Sequence, residues 1–416
     1  MSVVGSQQRT LLDLLGRLRA HWRTDRNLPA RVQHLLARNH SFGSRDRRLY
    51  RELIYTTLRY LPWIEPSLAD KPEAAALLIA WLSADVPSTE RFRSQLVGDW
   101  PACPTSVEEK AAVLNRRFFS ETEAHATQAL FRPDDLLPAW LHDECPEAFV
   151  PSQRDALQTR SPLWLRLNPD TADRVREEFQ ARAWLFQFST LLPTALRVLD
   201  EADVTQSDAF KTGCFEIQDL GSQLILESAA LSPGGRWLDA CAGAGGKTLQ
   251  LAQMLGPTGH VDAFDVRPAA LQELAVRAQR ARLRTIHILA HPPTQTYDGV
   301  LVDAPCTGSG TWRRAPHLKW TTSQTDVAKA AVLQRTLLSA NSALVRKGGR
   351  LVYATCSLAK TENEAVVDQF LQSHVDFETE APHRNFGGLV RGNGLTFLPA
   401  LHDSDGFFVA AFRRKR

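Results

Sequence analysis

A strand-like run that breaks into a glycine turn and continues as an apolar helix sets the architecture of most of this chain. RWLDACA, residues 236–242, has the apolar, short character of a strand. Gly243, Gly245 and Gly246 then form a turn, and KTLQLAQML carries on at helical spacing. The same alternation recurs downstream. HVDAFDV reads as a strand, Pro268 suits the first turn of the helix PAALQELAVRAQRARL, and TIHILA and YDGVLVDAP read as two further strands. TDVAKAAVLQRTLLSANSALV is a long helix ended by Lys347-Gly348-Gly349, RLVYATCS a buried strand, TENEAVVDQFLQSH a helix and GFFVAAFRR a closing strand. Strands that alternate with helices need crossover connections, so residues 212–416 are expected to form a doubly wound α/β domain.

The upstream sequence has a different texture. Residues 1–145 read as all-helical, with TLLDLLGRLRAHW and RDRRLYRELIYTTLRYL carrying apolar residues at helical spacing and Pro62, Pro87 and Pro101 dividing the segments. Residues 155–211 read as a small α+β unit in which PLWLRLN and TALRVLD alternate like strands around the helix TADRVREEFQARA. The net charge of +3 hides an uneven distribution: residues 1–60 carry twelve arginines against four acids, a balance of +8, and the chain closes on Arg413-Arg414-Lys415-Arg416. Such blocks either grip a phosphate backbone or form solvated helix faces. The six cysteines show no zinc-ligand spacing, the opening MSVVGSQQRT has no basic-then-apolar signal pattern, and AAALLIAWLSA is too short to span a bilayer. A cytoplasmic protein with free thiols, no metal and no membrane contact is expected.

The glycine turn fits neither phosphate-binding pattern. A P-loop places a glycine five positions before Gly246, where Cys241 stands; the dinucleotide pattern, begun at Gly243 and Gly245, ends on Thr248 instead of glycine. The ligand that remains is a nucleoside without a phosphate chain. Asp265 ends the next strand nineteen positions after Gly246, close to the spacing at which a carboxylate meets a ribose diol. S-adenosylmethionine carries such a diol, and its amino-acid carboxylate suits a helix N-terminus behind Gly245-Gly246.

In an open α/β sheet, ligands bind beyond the carboxyl ends of the strands. Cys241, Asp265, the DAPC run with Asp303 and Cys306, and Cys356 in YATCS occupy such ends. A single cysteine on a buried strand is usually a small hydrophobe. Two at the mouths of different strands of one sheet, one of them three residues after an aspartate, suggest chemistry.

CAGAGGKT, DAFDVRP, DAPCTGSGTWRRAPHLKW, YATCSLAKTENE and DGFFVA together resemble the NOL1/NOP2/Sun family of RNA cytosine-5 methyltransferases, and GCFEIQDLGSQL resembles the segment preceding that family's glycine turn. RDRRLYRELIYTTLRY is similar to the family's NusB-like helical domain, and WLRLN to the RRM-like domain that follows it. The resemblance implies a Rossmann-like S-adenosylmethionine-dependent methyltransferase domain acting on RNA, with rRNA foremost, on a single-stranded or flipped cytosine, as a monomer. It implies Cys356 as the nucleophile that adds to C6 and so activates C5. Cys306 would assist loss of the C5 proton, and Asp303 would hydrogen-bond the base edge around N3 and the exocyclic amine. Cofactor contacts would come from Cys241, Ala242, Gly243, Ala244, Gly245, Gly246, Lys247, Asp265, Arg267, His291 and Asp303. DNA cytosine-5 enzymes use the Pro-Cys cysteine as nucleophile and lack a Thr-Cys partner, so Cys356 argues for RNA.

A thiolate at Cys356 needs an electropositive setting, for which Lys247 and the Arg313-Arg314 pair are candidates. Trp312, Arg313, Arg314 and Trp320 offer either stacking and phosphate contacts or packing beneath their loop. The chain departs from the family pattern at Gly243-Ala244, which replace Ala-Pro, at His317, which replaces Asp, and at His291, where the family has an Asp near the adenine amine. Either a neutral His291 imidazole accepts from that amine, or Asp298 is offset into the role. The alternative is an RNA-binding or ribosome-assembly factor with a weakened methyltransferase domain.

Overall fold

The computed structural model describes residues 2–118, 131–229 and 231–416, so part of the expected helical region, residues 119–130, lies outside the described residues. The chain divides into two compact units, Met1–Arg160 with Thr311–Ser323, and Ser161–Gly310 with Gln324–Arg416.

The first unit is helical: Val3–Leu18, Leu28–Arg38, Ser44–Arg59, Leu61–Asp70, Pro72–Leu82, Glu90–Val97 and Val107–Phe118. Val3–Leu18 buries Val4, Leu11, Leu14, Leu15 and Leu18, a one-sided stripe at three- and four-residue spacing. Pro72–Leu82 is apolar on nearly every side and correspondingly central, with Ala75, Ala76, Leu78, Ile79, Ala80 and Trp81 all buried. Pro62, expected as a break, sits at the start of Leu61–Asp70, where a missing N–H leaves no helical bond unmade.

Thr311–Ser323, encoded inside the α/β region, packs as part of this helical unit. Trp312 is fully buried, edge-on to Trp140 with ring centroids 6.0 Å apart. Arg313 is buried too; its Nη2 donates to Thr159 Oγ1 at 2.8 Å and to the Arg160 carbonyl at 3.0 Å. Trp320 Nε1 donates to the Leu58 carbonyl at 2.6 Å, and His317 Nε2 lies 3.1 Å from the Arg26 carbonyl. The structure therefore selects packing over RNA contact for Trp312, Arg313 and Trp320. Arg314 alone of that run is exposed. Lys319 is buried, and its Nζ donates to the Arg59 carbonyl at 2.9 Å, the Leu136 carbonyl at 3.3 Å and Gln158 Oε1 at 2.7 Å. Burial pulls its pKa well below the usual lysine value. Lys319→Met keeps the length of the side chain and strips three buried acceptors of their donor, so urea unfolding should show a loss of about 2–4 kcal/mol.

The second unit contains two sheets. The smaller has the order β2-β3-β1-β4, all antiparallel, from β1 (Leu163–Leu167), β2 (Phe186–Phe188), β3 (Ala195–Val198) and β4 (Phe215–Ile217). One face turns Leu165, Leu167 and Leu196 onto Phe179 of the helix Ala172–Ala181. The other carries Trp164, Arg166, Arg197 and Glu216. Trp164 Nε1 donates to the Asp403 carbonyl at 3.0 Å, Arg197 pairs with Asp403 at 2.6 Å, and Glu216 takes Arg280 at 2.6 Å and Arg277 at 3.1 Å. That second face is thus bonded to elements of the larger sheet's layer and offers no free aromatic surface.

Among the described residues the larger sheet has nine strands, ordered β11-β12-β13-β9-β8-β5-β6-β7 with β10 on β13. β5 (Gly235–Asp239), β6 (Gly259–Ala263), β7 (Ile286–Ile288), β8 (Tyr297–Asp303) and β9 (Val345–Thr355) are parallel. β13 (Phe407–Arg414) runs antiparallel beside β9. The helices Gly246–Leu255, Pro268–Arg280, Gln324–Ser342 and Glu364–Ser373 connect the strands. This is a Rossmann-like sheet with a helical unit and a small α+β sheet, as expected. The long helix ends earlier than the sequence suggests, at Ser342, and Lys347-Gly348-Gly349 lie inside β9 as a bulge between the Tyr297–Val345 and Gly299–Arg350 pairs. β10 (Phe377–Glu380), β11 (Leu389–Arg391) and β12 (Gly394–Phe397) follow no periodicity in the sequence and come from edge pairing.

Candidate active site

β5 ends at Asp239, and the chain turns through Cys241 to Gly245 before entering the helix Gly246–Leu255. Gly243 and Gly245 take φ of 53° and 91°, conformations that side chains disfavour. Space is also short at Gly245, where a Cβ would fall 2.2 Å from Leu274 Cδ1. The turn is tied to its neighbours by Ala242 N to the Phe264 carbonyl at 2.9 Å, Gly243 N to Asp265 Oδ2 at 2.8 Å, and Arg277 Nη1 to the Ala244 carbonyl at 2.8 Å. Arg277 has no motif of its own; only its place on the helix after β6 delivers it.

Asp265 lies just past β6, and Arg267 closes on it, Nε to Oδ1 and Nη2 to Oδ2 both at 2.9 Å. The Arg267 guanidinium holds the Asp265 carboxyl below the usual range, helped by the Gly243 and Arg267 amides. Val266, 83% exposed, gives an apolar surface beside that carboxylate. His291 is exposed beyond the carboxyl end of β7, the strand next to β6. Asp298 is at the other end of the sheet: at the start of β8 it accepts from Arg236 N at 2.6 Å and pairs with Arg346 at 2.5 Å. It cannot substitute for an acid beside the adenine, which corrects that expectation. The left-handed turn, the strand-end carboxylate and the exposed Val266 fit a nucleoside with a short polar tail.

The reactive groups collect at the ends of β8 and β9. Asp303 stands beside Ala354 in the parallel register, and Ala304 N donates to the Ala354 carbonyl at 2.9 Å. Cys306, three residues on, and Cys356, immediately after Thr355, bring their Sγ atoms to 3.3 Å. The hydrogen bond with Cys356, then burial, pushes the Cys306 thiol pKa up, and either sulfur can be the donor in that contact. Lys247 Nζ is 2.8 Å from Asp303 Oδ2 and 5.2 Å from the Phe407 ring centroid, so the lysine serves Asp303 directly. Burial raises the Cys241 thiol above the ordinary value. Among the described residues no cluster of His, Cys, Asp or Glu could hold a metal, and no helix is long and apolar enough to cross a membrane.

Three buried residues have no site role in the motifs. Glu362 and Asn363 close the YATCSLAKTENE motif, where the sequence shows only a helix start, and both are fully buried beside the cysteine loops. Asp239 ends a strand that reads as apolar; its Oδ2 accepts from Thr248 Oγ1 at 2.7 Å, and burial raises its pKa to about 7. An exposed aspartate titrates near 3.9, so the folded chain holds the Asp239 proton more tightly than the unfolded chain. That contribution is complete below about pH 4 and disappears as pH rises through about 7. Asp239→Asn keeps an acceptor for Thr248 and has no proton to lose. Melting curves should show wild type losing Tm relative to this variant between about pH 5 and pH 8, whereas parallel curves would contradict the assignment.

Residues 227–413 match the family model for 16S rRNA methyltransferase RsmB/F. A probable ribosomal RNA small subunit methyltransferase B from Synechocystis is 35% identical over 67% of this chain and 66% of its own length. Ribosomal RNA small subunit methyltransferase B from Pasteurella multocida is 31% identical over 72% of this chain and 70% of its own. A methyltransferase homolog from Pyrococcus horikoshii, 25% identical, superposes with a TM-score of 0.56 over 63% of this chain and 90% of its own. The glycine turn and the strand-end groups all fall inside the matched region, and the chain belongs to the RsmB/F family of methyltransferases, with S-adenosylmethionine as its cofactor.

Proposed function

We propose that this protein methylates C5 of a cytosine in small-subunit rRNA through a covalent bond between Cys356 and C6. The observation that carries the reading is the 3.3 Å approach of two thiols at the ends of adjacent strands. The names of the relatives, ribosomal RNA small subunit methyltransferases, supply the substrate class. S-adenosylmethionine, when bound, supplies an electrophilic methyl group.

The chain's own residues do the rest. Gly243 to Gly246 and the N-terminus of the helix Gly246–Leu255 would hold the cofactor's amino-acid end, and Asp265, given up in part by Arg267, would accept from the ribose hydroxyls. Cys356, as its thiolate, adds through sulfur to C6. The C5–C6 π electrons become available at C5, which would take the methyl group as its bond to the sulfonium sulfur breaks and the thioether leaves. Loss of the C5 proton to water, a step that Cys306 assists, restores the C5–C6 double bond and expels the Cys356 thiolate. Asp303, oriented by Lys247, bonds the N3 and amine edge of the base. Attack on C6 requires the cytosine to be out of its stack, in a single-stranded or flipped state. The arginines of residues 1–60 suit phosphate contacts, as a NusB-like helical domain within residues 1–145 would make.

Removing Cys306 should block release and leave attack intact. Cys306→Ala, incubated with rRNA and S-adenosylmethionine, is therefore expected to accumulate an RNA adduct that survives denaturing electrophoresis. Cys356→Ala should form none and lose methyl transfer by at least about 10³-fold. An adduct with Cys356→Ala and none with Cys306→Ala would exchange the two roles; no C5 methylation by wild type would end the reading.

A further inference from the structure

The two thiols sit on separate loops, Cys306 after β8 and Cys356 after β9, and short contact between loop side chains needs something that ties one loop to the other. Glu362 lies between them with its carboxylate fully buried. Oε1 accepts from Thr307 N at 2.9 Å and Gln334 Nε2 at 3.1 Å. Oε2 accepts from Thr307 Oγ1 at 2.5 Å and from Ser357 Oγ. Thr307 is the residue after Cys306, and Ser357 the residue after Cys356, so one carboxylate gathers donors from the neighbour of each thiol.

Surrounding bonds point the same way. Asn363 Oδ1 accepts from Thr355 Oγ1 at 2.6 Å and its Nδ2 donates to the Ser357 carbonyl at 2.9 Å, which clasps the residues on both sides of Cys356. Gly310 N donates to the Cys356 carbonyl at 2.9 Å, and the Ser309 and Ser357 hydroxyls are 3.1 Å apart. The donors to Glu362 are an amide N–H, two hydroxyls and a side-chain amide, and a carboxylate accepts at both of its oxygens. A glutamine in its place would turn an NH₂ toward donors on one side. The two hydroxyls can each reorient; the Thr307 N–H cannot.

We propose that Glu362 is a positioning residue for the methyl transfer: it sets the spacing of the two thiol loops so that Cys356 meets C6 while Cys306 stands at C5. The inference rests on the covalent reading above. Adjacent ring carbons leave little tolerance, and a 1 Å misplacement of a reacting group costs about 10²-fold in rate. After the Cys356 hydrogen bond and burial, the Glu362 charge also helps to raise the Cys306 thiol pKa.

Full-length wild type, Glu362→Gln, Thr307→Val and Ser357→Ala are compared with S-adenosylmethionine and unmethylated rRNA. Glu362→Gln should lower kcat by about 10²-fold with cofactor Kd unchanged. In a Cys356→Ala background it should also move alkylation of Cys306 by iodoacetamide to lower pH. Thr307→Val loosens only the Cys306 loop and should accumulate the denaturation-resistant adduct, whereas Ser357→Ala loosens only the Cys356 loop and should slow adduct formation. The proposal is overturned if Glu362→Gln keeps kcat within about twofold, if cofactor affinity falls in step with kcat, or if the two hydroxyl variants change the adduct alike. Should Glu362→Gln not fold, the opposite behaviour of the two hydroxyl variants decides. Wild type that leaves C5 unmethylated sinks the covalent reading itself, whereas active wild type beside an unaffected Glu362→Gln sinks only this inference.

Discussion

β8 and β9 run parallel with Asp303 beside Ala354, and the other groups at the sheet's carboxyl edge are placed by that register. Side chains on a strand alternate between faces, so a slip of one residue would carry Asp303 to the opposite face and turn Cys356 away from Cys306. The register is held on both sides: β5 pairs Asp239 with Leu301, and β13 pairs Phe408 with Thr355. Leu301 and Val352 in one core cluster, Val302 and Tyr353 in the other, are fully buried, so a slip would also expose apolar side chains. The fold thus places its chemistry with hydrophobic burial, and polar bonds such as those of Glu362 refine the position.

The parallel strands and their crossover helices were legible because each obeys one periodicity over many residues. The same holds for the grouping of Asp303, Cys306 and Cys356, since strand ends of one open sheet must share an edge. Partners contributed from a distance were not. Nothing near Glu362 in sequence shows that Thr307 and Gln334 will meet it, and Arg277 reaches the glycine turn only because the helix Pro268–Arg280 lies against it. Asp298 stands at the amino end of the strand YDGVLVDAP, so the rule that ligands bind beyond carboxyl ends already weighed against it. The edge strands β10 to β12 have short, mixed sequences whose pairing depends on β13.

The run Trp312 to Trp320 is a sharper lesson in residue chemistry. Tryptophan and arginine in the loop after Cys306 have the composition of an RNA contact, yet here they serve burial. Arg313 and Lys319 have large hydrogen-bonding capacity, and the carbonyls of Arg160, Arg59 and Leu136 need donors where water is excluded. Long cations satisfy several such acceptors at once. A composition suited to phosphate is equally suited to closing the ends of buried helices.

Because Thr311–Ser323 fills the interior of the helical unit, the order of synthesis matters. The amino-terminal helices leave the ribosome long before Trp312 and Lys319 are made, and until then the carbonyls of Arg59 and Leu136 and the face of Trp140 lack their partners. The earliest-made part of the protein therefore completes its packing late, after the first four strands of the large sheet have been translated. A nascent chain stalled before that point would hold a soft, incompletely closed bundle open to chaperones.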